Sequence, residues 1–370
     1  MSAAAVRIAF LFAGQGAQYP GMGIGFVQQS PAAAGVFAAA DAACPGTYER
    51  CCAALPAELA RTTVTQPTVL ATGLACARML EEAGVTPAAV AGFSLGEVGA
   101  LACAGVFDDK TAFKLIGERA RLMEAACQDR PGAMRAVLGK AEDELRALLE
   151  ESGQNHIELV NFNAPTQIVV AGPVAQIEAF GDFLTQRKIR SVQLAVSGAF
   201  HSSFMDRAAD DFARALARVS FKPAQIPVYS NVSGEPYLLR ATKADGCTLS
   251  PSDEAQAKTL LARQIASPVQ WVRTLENLRD SGITHFIEVG PGTVLTGLTR
   301  KTLPGLWCRS VQNPVDAHAV ADELKQGRPG RRYHKRAVPL CFLHAAAAPG
   351  FEVAKGPSAY RKDKREEQHA

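Results

Sequence analysis

The stretch AAVAGFSLGEVGALACA, residues 88–104, decides the fold. Ala88–Phe93 is a short apolar run of the length of a buried parallel strand. Leu95–Ala104 reads as a helix that stops at Gly105. Between them lies Gly92-Phe93-Ser94-Leu95-Gly96, the GxSxG pattern in the strand-turn-helix context of a nucleophile elbow. A turn this sharp holds the serine in a strained conformation, and side chains two positions to either side would collide, so both are glycine. The Ser94 hydroxyl then projects at a helix N-terminus, where free N–H groups and the helix dipole favour negative charge. The plain alternative is a Gly/Ser turn that joins a strand to a helix.

On the N-terminal side, Val6–Ala13 reads as a buried strand, Gly14–Gly25 as a glycine-rich loop and Pro67–Ala83 as a helix ending at Gly84. On the C-terminal side Thr111–Cys127 reads as a helix. Residues 132–196 then change rhythm: strand Met134–Gly139, helix Glu142–Glu151, strands His156–Phe162 and Gln167–Ala171, helix Val174–Lys188 and strand Arg190–Val196. That order, βαββαβ, is the ferredoxin-like pattern. Helices over 203–219, 254–265 and 269–281 and strands over 227–230 and 284–289 resume the larger unit. The fold class is therefore α/β: a large α/β-hydrolase-like domain with a parallel sheet and nucleophile elbow (1–129 and 198–325), an inserted small ferredoxin-like domain (130–197), and a tail, 326–370, expected to be disordered.

Composition narrows the function. Apolar residues make up 48% and charged residues 20% of the 370, which excludes a disordered or collagen-like chain. No apolar run is long enough to cross a bilayer. The segment ahead of the first strand has neither the form of a secretory signal nor that of a transit peptide, which favours a cytoplasmic protein. Nine Cys without CxxC spacing point to reduced, mostly buried thiols rather than a disulfide framework. The net charge of +3 is unevenly placed. Residues 328–370 hold ten Lys and Arg against four Asp and Glu, and residues 1–327 hold 29 against 32. The bulk of the chain is thus mildly acidic, and overall charge is no argument for nucleic acid.

A serine nucleophile needs a base. His334, His344 and His369 lie in the tail, His318 in a polar stretch, and His156 at the start of a small-domain strand. His285 sits inside an apolar strand and reads as structural. His201, in SGAFH at the exit from the small domain, is the favoured base. The loop AGQGAQ (13–18) follows a strand but is no dinucleotide site, since Tyr19 takes the third glycine's place. Presenting backbone N–H groups to an oxyanion is its remaining function, against a plain tight turn. Arg119, in GERARLM, would ordinarily belong to a solvated helix face and matters only if the substrate is an anion.

In combination, FAGQGAQ, GFSLGE, GERARLM, GAM (132–134), NFNAPTQIVVAG, SGAFHSSFM, RQIASPVQW and EVGPGTVL resemble the malonyl-CoA:acyl-carrier-protein transacylases, the acyltransferases of fatty-acid synthesis, over about residues 6–325. The resemblance implies Ser94 as nucleophile and His201 as its base. It implies that a carbonyl at Gln264, rather than an acid, orients the histidine. Backbone N–H groups of Gln15 and Leu95 would form the oxyanion hole, and Arg119 would bind the malonyl carboxylate. Phe93, Phe200, Met123 and Asn163 would line the acyl pocket. Phe93 departs from the family's usual His. Phe200 matches the residue that goes with malonyl rather than methylmalonyl in related polyketide enzymes. The implied chemistry is ping-pong transfer through a malonyl-serine, with no metal or redox cofactor. Its partners would be malonyl-CoA and acyl carrier protein, with no nucleic acid or membrane, in a monomer. The compartment implied is the cytoplasm, with the mitochondrial matrix as alternative. The rival readings are a trans-acting polyketide acyltransferase, a silent carrier-binding module, and a serine hydrolase with a late histidine such as His285.

Overall fold

The computed structural model describes residues 6–196, 198–240 and 248–326, so the expected tail beyond Gln326 lies outside the described residues. Nine strands are described: β1 Ile8–Phe12, β2 Ala89–Gly92, β3 Ala133–Leu138, β4 Glu158–Ala164, β5 Gln167–Gly172, β6 Ser191–Gln193, β7 Val228–Tyr229, β8 His285–Val289 and β9 Trp307–Val311. They form two sheets. The first has the order β7-β2-β1-β8-β9 and every pairing in it is parallel. The second has the order β4-β5-β3-β6 and is antiparallel.

The parallel sheet follows from its sequences. β1 (IAFLF) is buried at all five positions, as a central strand covered on both faces must be. β1 pairs β2 on one side and β8 on the other. The loops leaving the C-terminal ends of these three strands therefore converge where the chain switches direction across the sheet, the usual location of a site in such folds.

The antiparallel sheet shows period-two alternation. Ala133, Val137, Ile168 and Val170 pack with Leu145, Ile177, Phe180 and Leu184 of its own two helices. The intervening Met134, Ala136, Val169 and Ala171 join the core of the larger unit. One face thus builds a private core, and the other turns to the rest of the molecule. β4 is tied across by Phe162 N–H donating to the Val269 carbonyl and Val269 N–H to that of Val160, both 2.9 Å.

Three differences from the sequence reading have physical causes. The helix expected from Pro67 begins at Thr62. A proline in the second turn costs little beside the burial of nearly the whole helix, because tertiary packing overrides propensity. Four helices over 24–59 lie outside the sequence reading: three have seven residues or fewer, and Pro31–Ala43 is so rich in alanine that no polar face marks its period. The chain after Gly290 adds helix Val294–Thr302, β9 and helix Pro314–Lys325, which extend the parallel sheet by one strand. All seven described cysteines are free thiols. No helix among the described residues is long and apolar enough to cross a membrane.

Candidate active site

Ser94 follows the end of β2 by two residues, with φ of 53°. The glycines around it are sterically required. A Cβ on Gly92 would lie 1.9 Å from the backbone of Gly96, and one on Gly96 would lie 2.3 Å from the carbonyl oxygen of Phe12. His201 also has positive φ, 64°. Such conformations are costly for non-glycine residues and collect at functional sites. The strain at Ser94 was legible in GxSxG; that at His201 was not. Asn231 holds the elbow from behind: its Oδ1 accepts the Ser94 N–H at 2.7 Å and its Nδ2 donates to the Gly92 carbonyl at 2.7 Å.

Ser94 Oγ lies 2.8 Å from His201 Nε2, and His201 Nδ1 lies 2.9 Å from the main-chain oxygen of Gln264. A carbonyl only accepts, so Nδ1 carries the hydrogen and Nε2 is free to accept from the serine. Burial first, and then the charge of Arg119, push His201 down to about 4, so the imidazole is neutral at pH 7. His285 lies at the first residue of β8, opposite Ile8, and packs at a tilt against Trp307, with ring centres 4.8 Å apart. It lies at the N-terminal end of an inner strand, the end of the sheet opposite the serine, which removes it as base.

Arg119 is 1% exposed and lies on the buried face of helix Asp109–Asp129 with Ile116, Ala120 and Met123. The solvated face that composition would assign to an arginine is thus not where it sits. Nη1 donates to Gln66 Oε1 at 2.7 Å, and Nη2 donates to Gln264 Oε1 at 2.7 Å and to Ser94 Oγ at 3.1 Å. Nε has no partner. Desolvation pulls the guanidinium down to about 10, against the opposing attraction of Glu97. A buried cation bonded only to neutral oxygens is matched to an incoming anion.

These groups open into a cavity of about 240 Å³. Gln15, Phe93, Leu95, Met123, Asn163 and Phe200, all expected at the site, line it. The backbone N–H groups of Gln15 and Leu95 find no acceptor among the described residues, so both remain available to an oxyanion. Phe93 packs edge-on against Trp271 at 5.3 Å. The side-chain oxygen of Asn163 is buried without a partner. Met134, Ala136 and Val169 close the cavity from the antiparallel sheet.

Four residues were missed from sequence. Glu97, Gln66, Asn231 and Tyr237 are buried around Ser94 and Arg119. Glu97 alone carried a signal, as a charged residue in the apolar turn after GFSLG. No group of His, Cys, Asp and Glu fit to hold a metal occurs among the described residues.

The profile of the acyl transferase domain family matches residues 9–338. The malonyl CoA-acyl carrier protein transacylase of Bacillus subtilis is 35% identical over 328 residues, covering 86% of this chain and 98% of the relative. Among solved structures, that of the malonyl CoA-acyl carrier protein transacylase from Clostridium perfringens superimposes with a TM-score of 0.78 at 30% identity, over 87% of this chain and 98% of that one. A type II polyketide acyl carrier protein in complex with its malonyl-transacylase matches with a TM-score of 0.76 at 32% identity, over 86% and 99%. With so much of both chains covered at this identity, the likeness extends well past the elbow motif, and the chain belongs to the acyl transferase domain family.

Proposed function

We propose that the protein transfers the malonyl group from malonyl-CoA to the phosphopantetheine thiol of acyl carrier protein, through a malonyl ester on Ser94. The observation that carries this is Arg119: a fully buried guanidinium 3.1 Å from the nucleophile, with no carboxylate in hydrogen-bond contact. Relatives named for this reaction support it, and the carrier complex of a neighbour supports the partner.

Ser94 Oγ attacks the thioester carbon while His201 Nε2 takes its proton. The resulting oxyanion rests on the N–H groups of Gln15 and Leu95, already in place and without reorganisation. Collapse breaks the C–S bond, and CoA leaves with the proton from His201. The carrier thiol then gives its proton to His201 and attacks the ester, and Ser94 leaves reprotonated. The acyl carboxylate also aids the base. Once it neutralises Arg119, one cause of His201's low basicity is gone, so the correct substrate raises its own catalyst's proton affinity. These steps use no metal or redox cofactor.

The strand orders support the finer architecture: an α/β-hydrolase-like domain (1–129 and 198–325) carrying the elbow, with a ferredoxin-like insertion (130–197) roofing the cleft. We read the enzyme as a cytoplasmic monomer that meets the acidic carrier through local basic side chains. Mass spectrometry after incubation with malonyl-CoA tests the function. A gain of about 86 Da on Ser94, the mass of the added acyl group, that disappears when holo acyl carrier protein is added is expected. No adduct, or one that only water removes, overturns it in favour of a binding module or a hydrolase.

A further inference from the structure

Glu97 has no part in the steps above, yet it is fully buried and tied into them by three hydrogen bonds. Its Oε1 accepts from the Tyr237 hydroxyl. Its Oε2 accepts from Asn231 N–H at 3.1 Å and from Gln264 Nε2 at 2.9 Å. The Gln264 amide is the link. Nε2 donates to Glu97 and to the Ser94 carbonyl at 2.6 Å, while Oε1 accepts from Arg119 and the main-chain oxygen holds His201. With a donor at one end and only acceptors at the other, the amide has one orientation.

We propose that Glu97 is a positioning and specificity-determining residue: it is the counter-charge of Arg119, relayed through Gln264, and it takes up a proton from solvent when the acyl carboxylate engages Arg119. This inference rests on the carboxylate-binding role of Arg119. Its reason is electrostatic. Among the described residues the site holds one buried cation, and two carboxylates sharing it in a low dielectric cannot both stay ionised cheaply. The charged and titratable groups around Glu97 are Arg119, Tyr237 and, one bond further, His201. Tyr237 is raised well above its ordinary range by burial and by Glu97 itself, so it stays a neutral hydroxyl, able to donate to the carboxylate or to accept from the carboxyl. His201 titrates far lower. Burial lifts Glu97 to about 7, which leaves it the one group of this cluster that changes charge near neutrality.

The sign follows. Below the Glu97 midpoint its carboxyl is neutral and Arg119 is free to attract an anion. Above it the ionised Glu97 satisfies Arg119 and opposes malonyl entry. Acetyl-CoA lacks the carboxylate but shares the titrating phosphates of CoA, so it isolates the effect. Single-turnover acylation of Ser94 between pH 6 and 9 is the test. Wild-type kcat/KM for malonyl-CoA, relative to acetyl-CoA, is expected to fall by up to about tenfold per pH unit above the midpoint, the limiting slope of one coupled proton, with the change in KM. Glu97→Gln is expected to flatten this ratio. The glutamine fits if its Nε2 donates to Tyr237, whose hydroxyl turns to accept. Tyr237→Phe removes a bond to the ionised carboxylate and is expected to move the midpoint upward, which keeps the proposal testable should Glu97→Gln not fold. A ratio that stays independent of pH in the wild type, or falls equally in Glu97→Gln, overturns the inference. If Arg119→Ala leaves malonyl and acetyl acylation equally affected, the carboxylate role of Arg119 fails instead.

Discussion

The two sheets meet at one cavity and contribute opposite things. The parallel sheet and the helices on it bring Ser94, His201, Arg119 and Gln264, joined by short hydrogen bonds, with two of the four in strained backbone. The antiparallel sheet brings the apolar face of β3 and β5, Met134, Ala136 and Val169, with the uncharged amides of Asn161, Asn163 and Gln167 beside it. Chemistry sits where loops leave buried strands and their geometry is over-determined by neighbours. Shape sits on the face of a sheet, where one side chain can change without disturbing the backbone. Substitutions on the first side should alter rate by orders of magnitude, and those on the second should alter fit and stability.

The largest effect is expected from Ser94→Ala or His201→Ala. Each should cost about 10⁴–10⁶ in kcat, the range for units that act together, and Ser94→Ala should abolish the malonyl adduct. His285→Ala should retain transfer in the same assay. Loss of activity there with His201→Ala unaffected would reverse the assignment of the base. Next comes Arg119→Ala, which should lose roughly 2–5 kcal/mol of malonyl transition-state binding, the usual cost of truncating one partner of a buried charge pair, and little toward acetyl-CoA. Steady-state kcat/KM with the two thioesters checks it.

The same division explains what the sequence made legible. The elbow shows locally because GxSxG between a strand and a helix has few other uses, and the βαββαβ rhythm shows because period-two strands alternate with period-3.6 helices. The partnership of Ser94 with His201, 107 residues apart, came from elimination and from resemblance, not from any local pattern. The environment of Arg119 was hidden for another reason. A helix face containing one arginine reads as solvated until the oxygens that receive it are known, and these come from Gln66 and Gln264, 53 and 145 residues away. Glu97 escaped likewise, since its partners Asn231, Tyr237 and Gln264 follow only after the small domain. Hydrogen bonds between distant segments leave no periodicity behind.

Phe200 stands between the two regimes. It is 5% exposed, lines the cavity and precedes His201 in the chain. Phe200→Ala removes bulk beside the acyl group while leaving the polar array in place. The expected result is a gain of about 1–3 kcal/mol in relative preference for a methyl-branched malonyl thioester, the range one methylene supplies in a pocket. Competition between malonyl-CoA and methylmalonyl-CoA measures it; an unchanged ratio would mean that another side chain limits the pocket.

The finest test of the division uses neighbours on one strand. Val169 and Val170 are adjacent in β5, both essentially buried, and point to opposite faces. Val169 lines the cavity, whereas Val170 belongs to the small domain's own core. Alanine at either removes two methyl groups and should cost about 1.5 kcal/mol of stability from the lost burial, with somewhat more if the site cannot collapse. Thermal unfolding should therefore hardly distinguish the two variants. Kinetics should: Val169→Ala should raise KM for malonyl-CoA a few-fold through a looser cavity wall, while Val170→Ala keeps the wild-type value. Equal kinetic effects would show that the antiparallel sheet acts on the site through its rigidity as a whole, and that the separation of shape from chemistry is coarser than one strand face.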